Sequence, residues 1–464
     1  MSSVTLGAAE RAPRTAPEKR PPVSPPSPAP MPGVVTASLV VLGLGLGGVI
    51  GLAITAESSS QLRAAGGVAM FLGGLTGLAG TYLALVMVLL VSRVLLVERV
   101  LGQDGLLRWH RRLAPWPISL ILAHVVLLCV AYAQAAHAGL WHEVGVIVGT
   151  FPDLVTATVG FAFMMAAAVV SIRAIRRRVG RERWWAVHLV MYLALALSFM
   201  HVIALGPSFV GHPLTQVVWI LFWAATAGLV IGYRFLLPTV RTLRHRLRVA
   251  EIRPEGPGVV SVVLRGRQLE RLAVSGGQFF EWRFLTRGMW WQAHPFTLSA
   301  LPSPPYLRLT VKGLGDFSSS VARLRPGTKV AIEGPYGVFT THARTRKKVL
   351  LVAGGIGVTA VRALLEDLPS GTDPVVVLRA SSEDDLVLRA EVAELVRRKK
   401  GRLHELVGSR ALVGFDRLAE LVPDVKRRDV FVAGPPQFVH KVAATAARLG
   451  VPEESIHYDE YALP

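Results

Sequence analysis

Six long apolar segments in the first half of the chain constrain its fold more than any other feature. Each is about as long as the ~20 residues that a helix needs to cross the hydrocarbon core of a bilayer. The segments are residues 34–55, 66–91, 113–133, 154–175, 184–205 and 214–237. From about residue 244 onward the composition is that of an ordinary soluble protein. We therefore predict six membrane-spanning helices, followed by a soluble module large enough for two domains.

The positive charge of the chain predicts how these helices are oriented. The formal net charge is +20 over 464 residues, and the basic clusters fall at residues 11–20, 93–112, 173–183 and 234–248. The three loops on the opposite side contain only Arg63 between them. Because Lys and Arg concentrate in cytoplasmic loops, both termini and the soluble module are predicted to be cytoplasmic. No nucleic-acid-binding motif accompanies the charge, so we predict no nucleic-acid partner.

The first 32 residues form a proline-rich tail. Seven of the twelve residues from 21 to 32 are Pro, with Ser and scattered charge before and among them. Such a composition predicts a disordered cytoplasmic segment. The apolar run that follows begins too late and is too long for a secretory signal.

Four histidines lie in two matched pairs within the third and fifth apolar segments. His110 and His124 are 14 residues apart, and His188 and His201 are 13 residues apart. Each pair spans roughly 20 Å along a helix, and neutral imidazole is a common ligand of iron. Intramembrane histidines also serve as hydrogen-bond partners between helices. Two matched pairs favour a functional site instead, because polar groups in lipid are costly, and we predict two haems stacked across the membrane.

Helix geometry supports this pairing in part. Fourteen residues return to nearly the same face of a helix, whereas thirteen leave two side chains more than about 90° apart, so some distortion of the fifth helix is expected. Pro115 and Pro117 predict that the third helix is kinked or starts late. Cys129 is the only cysteine, which excludes a disulfide or a cysteine-ligated cluster within one chain. The electron carriers left open are haem, flavin and nucleotide.

The residues around the histidines resemble a known family. The sequence reads Trp109-His110-Arg111 and Ala123-His124 in the third segment, and Trp184-Trp185-Ala186-Val187-His188 and Met200-His201 in the fifth. This is similar to the ferric-reductase-like transmembrane domain that ferric reductases share with NADPH oxidases. The resemblance implies a b-type haem held by two histidines at each level. It assigns His110 with His188 to the cytoplasmic side and His124 with His201 to the outer side.

Several acidic and imidazole side chains fall on or near the predicted outer surface. They are Glu57, His137, His142, Glu143, Asp153 and His212. This face would attract a cation such as ferric iron. A solvated loop explains these residues equally well.

The region from residue 248 to about 341 has alternating strand-like runs broken by Gly and Pro, typical of a β-rich domain. Three motifs follow one another here: His294-Pro295-Phe296-Thr297-Leu298-Ser299, then Lys312-Gly313-Leu314-Gly315-Asp316-Phe317-Ser318, then Glu333-Gly334-Pro335-Tyr336-Gly337. Their order and spacing resemble the FAD-binding barrel of the ferredoxin-reductase superfamily. The resemblance implies that Phe296 lies along the isoalloxazine, and that His294 and Thr297 contact the flavin and its phosphates. It also implies that Lys312 and Ser318 help to hold the pyrophosphate.

The last part of the chain alternates strands and helices. A buried strand at residues 348–353 leads into Gly354-Gly355-Ile356-Gly357-Val358-Thr359, and a later strand ends in Ala433-Gly434-Pro435. Glycines allow a phosphate to approach the amides at a helix N-terminus. The pattern resembles the nucleotide-binding domain of the same superfamily. Many relatives have Cys where this chain has Ala433, and Tyr461 is the candidate for the terminal aromatic that often covers the flavin.

Two arginines bear on the choice of nucleotide. Arg379 and Arg410 follow the second and third strands of this domain, where they can pair with a 2′-phosphate. Acidic residues 383–385 lie nearby and would instead favour free ribose hydroxyls. We predict NADPH, with NADH possible.

The predicted fold is therefore multi-domain. Its parts are a disordered tail (1–32), a six-helix transmembrane haem bundle (33–237), an antiparallel β-barrel FAD domain (246–343) and an α/β NAD(P)-binding domain (344–464). The predicted function is electron transfer from cytoplasmic NADPH through FAD and two haems to an extracytoplasmic one-electron acceptor such as ferric iron. The alternatives are an NADPH oxidase that makes superoxide from oxygen, and a non-enzymatic haem-bearing electron-transfer partner. The oligomeric state is not predicted.

Overall fold

The computed structural model describes residues 32–94, 97–98, 102–408 and 417–461. Six helices in these ranges are long and apolar enough to cross a membrane, as predicted. They are Thr36–Thr55, Gly67–Val91, Gly105–Ala135, Asp153–Ser171, Arg183–Leu205 and Pro213–His245. Most of the predicted tail (1–31) and Arg410 lie outside the described residues.

The helices of the membrane half are numbered in chain order. They are α1 (Pro32–Thr55), α2 (Ser59–Arg63), α3 (Gly67–Val91), α4 (Gln103–Leu113), α5 (Pro115–Ala135), α6 (Leu140–Thr150), α7 (Pro152–Ser171), α8 (Arg173–Val179), α9 (Arg181–Leu205), α10 (Pro213–Val230) and α11 (Leu237–His245). The third span consists of α4 and α5, which meet at Ala114 where Pro115 begins the second helix. The sixth span joins α10 to α11 through a π-helical turn, Ile231–Leu236.

Two helix pairs dominate the packing of the bundle: α3 lies along α5, and α7 lies along α9. Small residues allow the first pair to approach closely, as is common between membrane helices. A Cβ added at Gly73 would lie 2.7 Å from Leu128, and one at Gly80 would lie 2.8 Å from Ile121. The expectation of a distorted fifth span is wrong, because that span, α9, is one uninterrupted α-helix.

The β-rich domain contains two three-stranded antiparallel sheets with the orders β1-β2-β5 and β4-β3-β6. The strands are β1 (Arg248–Gly256), β2 (Val259–Arg265), β3 (Phe279–Phe284), β4 (His294–Thr297), β5 (Tyr306–Lys312) and β6 (Val330–Tyr336), with helix α12 (Asp316–Val321) before β6. Single β-bridges between Arg248 and Lys329 and between Leu298 and Leu309 join the sheets at both edges. In β3 the buried residues Phe280, Trp282 and Phe284 alternate with outward-facing ones, so this strand packs one face on the core.

The last domain is a five-stranded parallel sheet with the order β11-β10-β7-β8-β9. Its elements are β7 (Lys348–Gly354), α13 (Val358–Asp367), β8 (Val375–Ala380), α14 (Arg389–Arg398), β9 (Arg402–Val407), α15 (Leu418–Leu421), β10 (Arg428–Gly434), α16 (Pro436–Arg448) and β11 (Ile456–Glu460). The strand order reverses between β7 and β10. Ligands of such sheets bind at this kind of switch point, beyond the carboxyl ends of the strands. The predicted α/β class is confirmed.

Candidate functional site

The four histidines of the membrane half lie in the two predicted pairs. The ring centroids of His110 and His188 are 6.2 Å apart, with an interplanar angle of 80°. Those of His124 and His201 are 6.1 Å apart, with an angle of 60°. One ring of each pair comes from the third span and the other from the fifth. We call His110 with His188 the inner pair and His124 with His201 the outer pair.

The spacing within each pair fits a metal held between two imidazoles. An iron ion midway between facing rings, at metal–nitrogen distances of about 2.0 Å, would place the ring centroids roughly 6 Å apart. Both pairs match that spacing. A direct hydrogen bond between the two rings would instead require their nitrogen atoms to lie closer together. Two neutral imidazole nitrogens are also the donor set that the family resemblance implies for a haem.

Helix α3 carries no iron-ligand candidate, yet it orients one histidine of each pair. Nδ1 of His124 lies 2.8 Å from the carbonyl oxygen of Gly73, and Nδ1 of His110 lies 3.3 Å from that of Met87. A carbonyl accepts only from a protonated nitrogen, so in both rings Nδ1 carries the proton. Nε2 then keeps the lone pair that a metal needs.

His188 is oriented by Ser171 on α7. The Ser171 hydroxyl donates to the carbonyl of Ala167 at 2.7 Å, and its oxygen lies 3.3 Å from Nδ1 of His188. The indole nitrogen of Trp184 donates to the same oxygen at 3.2 Å, and its ring stacks on the imidazole of His188 with centroids 5.2 Å apart. Nδ1 of His201, by contrast, is buried without a hydrogen-bond partner among the described residues.

A glycine makes room for the outer pair. A Cβ added at Gly77 would lie 2.4 Å from Nδ1 of His124, closer than real side chains approach. Three residues earlier on the same helix, a Cβ at Gly74 would meet nothing within 4 Å. Gly77 therefore forms part of the cradle of His124, a role that the sequence did not reveal.

The predicted flavin segment, His294 to Thr297, forms strand β4 at the edge of one sheet. The ring of His294 stacks on Phe317 with centroids 3.8 Å apart, and the ring of Phe296 lies 6.4 Å from Phe317 on a nearly parallel plane. Pro295 is exposed, whereas Thr297 is buried. The segment therefore offers aromatic surface and a hydroxyl group beside one another.

Other residues of the predicted flavin site make contacts within the protein. Ser299 is fully buried, and its hydroxyl accepts from Thr310 at 2.8 Å and from Arg308 at 3.1 Å. The Ser318 hydroxyl accepts from the amide of Gly315 at 3.0 Å and so caps α12. Gly334 and Gly337 both have positive φ, at 132° and 96°, where a side chain would be strained.

Tyr461 lies where the barrel meets the nucleotide-binding domain. Its amide donates to the carbonyl of Gly434 at 3.0 Å, and its hydroxyl is 3.4 Å from Oγ1 of Thr297. Burial and the neighbouring carboxylate of Asp459 raise its pKa well above the usual value, so the hydroxyl stays neutral. The structure thus brings together Tyr461 and the β4 segment, 164 residues apart in sequence.

The predicted glycine turns meet at the switch point of the parallel sheet. Gly355 has a φ of 55°, and a Cβ at Gly357 would lie 2.1 Å from the carbonyl oxygen of Ala433. Gly434 has a φ of 155° and leads through Pro435 into α16, as Gly357 leads into α13 beside Thr359. Two helix N-termini therefore open beside each other, which is the arrangement that binds phosphates.

Of the nucleotide-specificity candidates, Arg379 and the acidic residues 383–385 lie at the carboxyl end of β8. Arg379 lines a small cavity with Gly355 and Asp385, and its guanidinium donates to the carbonyl of Gly408 at 2.7 Å. Lys312 of the barrel pairs with Asp385 at 3.2 Å. Hydrogen bonds from Ser382 and Lys312 lower the pKa of Asp385, so this acidic group is ionised beside the cavity.

A charged cluster that sequence reasoning missed joins the membrane half to the barrel. Arg93, just beyond α3, pairs with Glu281 of β3 at 3.0 Å and with Glu333 of β6 at 3.1 Å. Arg234 also pairs with Glu333 at 3.1 Å, and the Tyr336 hydroxyl donates to the same carboxylate at 2.8 Å. We call these five residues the Arg93 cluster. The arginines belong to basic stretches that predicted topology, so sequence alone gave no sign of their partners.

The charged and polar groups of the Arg93 cluster have complementary partners. Burial and then the charge of Glu333 raise the pKa of Tyr336, so its hydroxyl remains a donor. The guanidinium of Arg93 also lies over the Tyr336 ring, 4.6 Å from its centroid. Each group in the cluster is therefore held by at least one partner of complementary character.

The outer-surface residues do not form a chelating site. Within the described ranges, no group of three or more His, Cys, Asp or Glu side chains is arranged to hold a metal ion. Glu143 is buried in the first turn of α6. His137 is exposed and borders an open pocket with Gln134 and Leu140.

Two protein families match parts of the chain. The ferric reductase like transmembrane component matches residues 76–199, and an FAD-binding domain matches residues 246–340. The first match includes His110, His124 and His188 and ends two residues before His201. The chain thus carries a ferric-reductase-like transmembrane domain followed by an FAD-binding domain, as the sequence motifs predicted.

Individual relatives are more distant. A probable ferric reductase transmembrane component of Candida albicans is 24% identical over 303 residues, which cover 63% of this chain and 42% of the relative. The NADH-cytochrome b5 reductase 2 of Neurospora crassa is 27% identical over 168 residues, or 32% of this chain and 49% of the relative. The chain thus spans about half the length of the curated relatives it matches, or less.

Among solved structures, one similar protein is the FAD/NAD-binding domain of nitric oxide dioxygenase from Vibrio cholerae O1. It is 22% identical, covers 47% of this chain and 99% of its own, and has a TM-score of 0.41.

Proposed function

We propose that this chain is a transmembrane oxidoreductase that passes electrons from cytoplasmic NADPH, through FAD and two b-type haems, to an extracytoplasmic one-electron acceptor such as ferric iron. The observation that carries the proposal is the presence of two neighbouring histidine pairs, 6.2 and 6.1 Å between ring centroids, in a domain of the ferric reductase type. When bound, the nicotinamide supplies a hydride, the flavin divides its electron pair, and the haems carry single electrons.

The membrane half supplies ligands and orientation. The inner pair would hold one iron and the outer pair the other. The carbonyls of Met87 and Gly73 and the hydroxyl of Ser171 keep the protonated ring nitrogen away from the metal position. The apolar helices around the rings exclude water and ions, which leaves electron transfer as the permitted form of conduction.

The soluble half supplies two adjoining binding surfaces. The aromatic surface of β4, with Thr297 and Tyr461, would receive the flavin at the domain junction. The glycine turns at the ends of β7 and β10 would receive the nucleotide phosphates, and Arg379 would select a 2′-phosphate. Tyr461 connects the two surfaces, because its amide donates to the carbonyl of Gly434 and its hydroxyl lies near Thr297.

The proposed direction of transfer follows from the charge pattern. The basic clusters support a cytoplasmic location for the soluble half. An electron that leaves this side moves outward, which an inside-negative potential favours by about 2.3 kcal/mol per 100 mV. Reduction of an outside acceptor is therefore assisted by the membrane potential itself.

Two observations support ferric iron as the acceptor. The relatives from Candida albicans are named as ferric or ferric/cupric reductase components. The outer loops are acidic and nearly free of basic residues, which favours the approach of a cation.

The test is anaerobic addition of NADPH to the purified chain in vesicles, with the soluble half facing outward and ferric salt enclosed. Haem reduction followed by its reoxidation with iron is the expected result. Fast superoxide release in oxygen, with negligible anaerobic iron reduction, would show that the acceptor is oxygen rather than ferric iron. Haem binding without FAD binding or NADPH-driven haem reduction would show the non-enzymatic partner instead.

A further inference from the structure

We propose that Arg93 is a positioning residue that fastens the flavin-binding barrel to helix α3 and so sets the separation between the flavin surface and the inner histidine pair. The expected effect on electron transfer rests on the proposed function, but the contact between the two domains does not. The contact consists of the Arg93 cluster: Arg93, Arg234, Glu281, Glu333 and Tyr336.

The ion pairs of the cluster are shielded from water. The exposed fractions of the side chains are 14% for Arg93 and Glu281, 17% for Glu333 and 24% for Arg234. Exposed ion pairs contribute little to stability, but removal of one partner from a buried pair leaves a charge uncompensated. The cluster is thus a specific contact, in which the loss of Arg93 leaves Glu281 without its partner.

The backbone at Arg93 points to a role for its side chain. Arg93 has a φ of 60°, in the left-handed region, immediately after Ser92, the C-cap of α3. Glycine occupies this position of a helix end without strain, whereas other residues do so at a cost. An arginine at this position is explained by the contacts that it makes across the domain boundary.

Helix α3 connects the cluster to both histidine pairs. The carbonyl of Met87, six residues before Arg93, receives the hydrogen bond of His110, and the carbonyl of Gly73 receives that of His124. A helix is stiff over this length. Helix α3 therefore fixes the positions of both histidine pairs relative to the point where the barrel is attached.

The other side of the cluster lies one strand from the predicted flavin surface. Glu281 of β3 is paired in register with Pro295 of β4 on one side and with Glu333 of β6 on the other. A shift of the barrel at Glu281 therefore moves the His294–Thr297 segment with it. A second helix also contacts strand β6: the hydroxyl of Thr242 in α11 accepts a hydrogen bond from the amide of Ile332 at 3.3 Å.

The functional consequence concerns one step. Electron transfer slows steeply with distance, whereas hydride transfer between nucleotide and flavin takes place within the soluble half. Loss of Arg93 should therefore slow haem reduction and leave flavin reduction unchanged. A role in general stability would affect both.

The experiment uses the full chain in lipid nanodiscs, loaded with haem and FAD. Stopped-flow mixing with NADPH without oxygen records flavin bleaching and haem reduction separately in Arg93→Gln, Arg93→Lys and the wild-type protein. We expect an at least tenfold slower haem reduction in Arg93→Gln, flavin bleaching within about twofold of wild type, and substantial recovery in Arg93→Lys. The matched control is Arg397→Gln, whose exposed side chain pairs only locally with Glu394 among the described residues.

A second measurement does not need the cofactors. Hydrogen exchange of the apo chain should become faster in β3 and β6 of Arg93→Gln, and Glu281→Gln, which alters the same pair from the barrel side, should show the same pattern. Unchanged exchange together with unchanged haem reduction in these variants would overturn the inference. If wild-type protein binds no haem, or NADPH does not reduce it, the proposed function fails while the exchange result still decides the contact.

Discussion

The carbonyl oxygen of Gly73 lies 2.8 Å from Nδ1 of His124, so a helix without a predicted iron ligand determines which nitrogen of the outer ring is free. This contact is possible because α3 and α5 approach through glycines rather than through larger side chains. The ferric-reductase-like domain thus depends on residues that carry no redox chemistry of their own.

The closest of these contacts gives a sharp prediction. Gly77→Ala should displace the ring of His124, because the new methyl group would lie 2.4 Å from Nδ1. We expect haem content, measured by haem extraction, to fall toward half of the wild-type value. Gly74→Ala is the control, since its methyl group would meet nothing within 4 Å. Equal haem content in both variants would contradict the proposed cradle.

Direct replacement of the ligand candidates tests the pairs themselves. His124→Leu and His201→Leu should each remove the outer haem, because only one imidazole of the outer pair would remain to hold it, while NADPH still bleaches the flavin. His188→Leu should stop electrons before the outer pair. Spectra of the double variant His124→Leu/His201→Leu should show one haem. Two full equivalents in that variant would rule out the assignment.

Much of this architecture is predictable from sequence because it depends on local patterns. Long apolar runs specify membrane spans, and a strand followed by Gly354, Gly355 and Gly357 specifies a turn that opens a helix. The pairing of His110 with His188 and of His124 with His201 followed from spacing and resemblance. In the structure the ring centroids of the two pairs are 6.2 and 6.1 Å apart.

The remainder depends on contacts that no local pattern encodes. Arg93 and Glu281 are 188 residues apart, and their partnership appears only when the domains are assembled. Spacing also misled in one case: thirteen residues between His188 and His201 suggested a distorted helix, but α9 is regular. The two ring pairs instead differ in their interplanar angles.

The orientation of the inner pair can be tested through Ser171. Ser171→Ala removes the oxygen that faces Nδ1 of His188 and the indole of Trp184. A hydrogen bond to the distal nitrogen makes an imidazole a stronger donor to iron, which favours the ferric state. We therefore expect the inner-haem midpoint potential to rise, with haem content unchanged. Redox titration measures this, with Ser198→Ala, bonded locally to Leu195, as control. A lower or identical potential would count against the role of Ser171.

Nucleotide preference can be tested at the end of the parallel sheet. Arg379→Ala combined with Arg410→Ala should reduce kcat/KM for NADPH by tenfold or more, about the value of one or two charge-assisted hydrogen bonds to a 2′-phosphate. NADH, which has no such group, should be affected little. Steady-state reduction of a flavin-directed dye gives both values, and Arg398→Ala on the exposed face of α14 is the control. An unchanged ratio of the two efficiencies would show that these arginines do not select the phosphate.

The nucleotide-binding domain should also weaken in acid through Asp424. Hydrogen bonds from the buried Arg428, at 2.7 and 2.9 Å, and from Lys348 lower the pKa of Asp424 from 3.8 to about 2. A lowered folded-state pKa stabilises the domain above the unfolded value, and this contribution is lost as the pH falls from about 4 to about 2. Asp424→Asn should therefore reduce the free energy of unfolding by up to about 2 kcal/mol at pH 7 and by less near pH 3. Hydrogen exchange of the β10 amides at both pH values measures the difference, with the exposed Glu420→Gln as control. A deficit of the same size at both pH values would show that Asp424 acts through packing rather than through its charge.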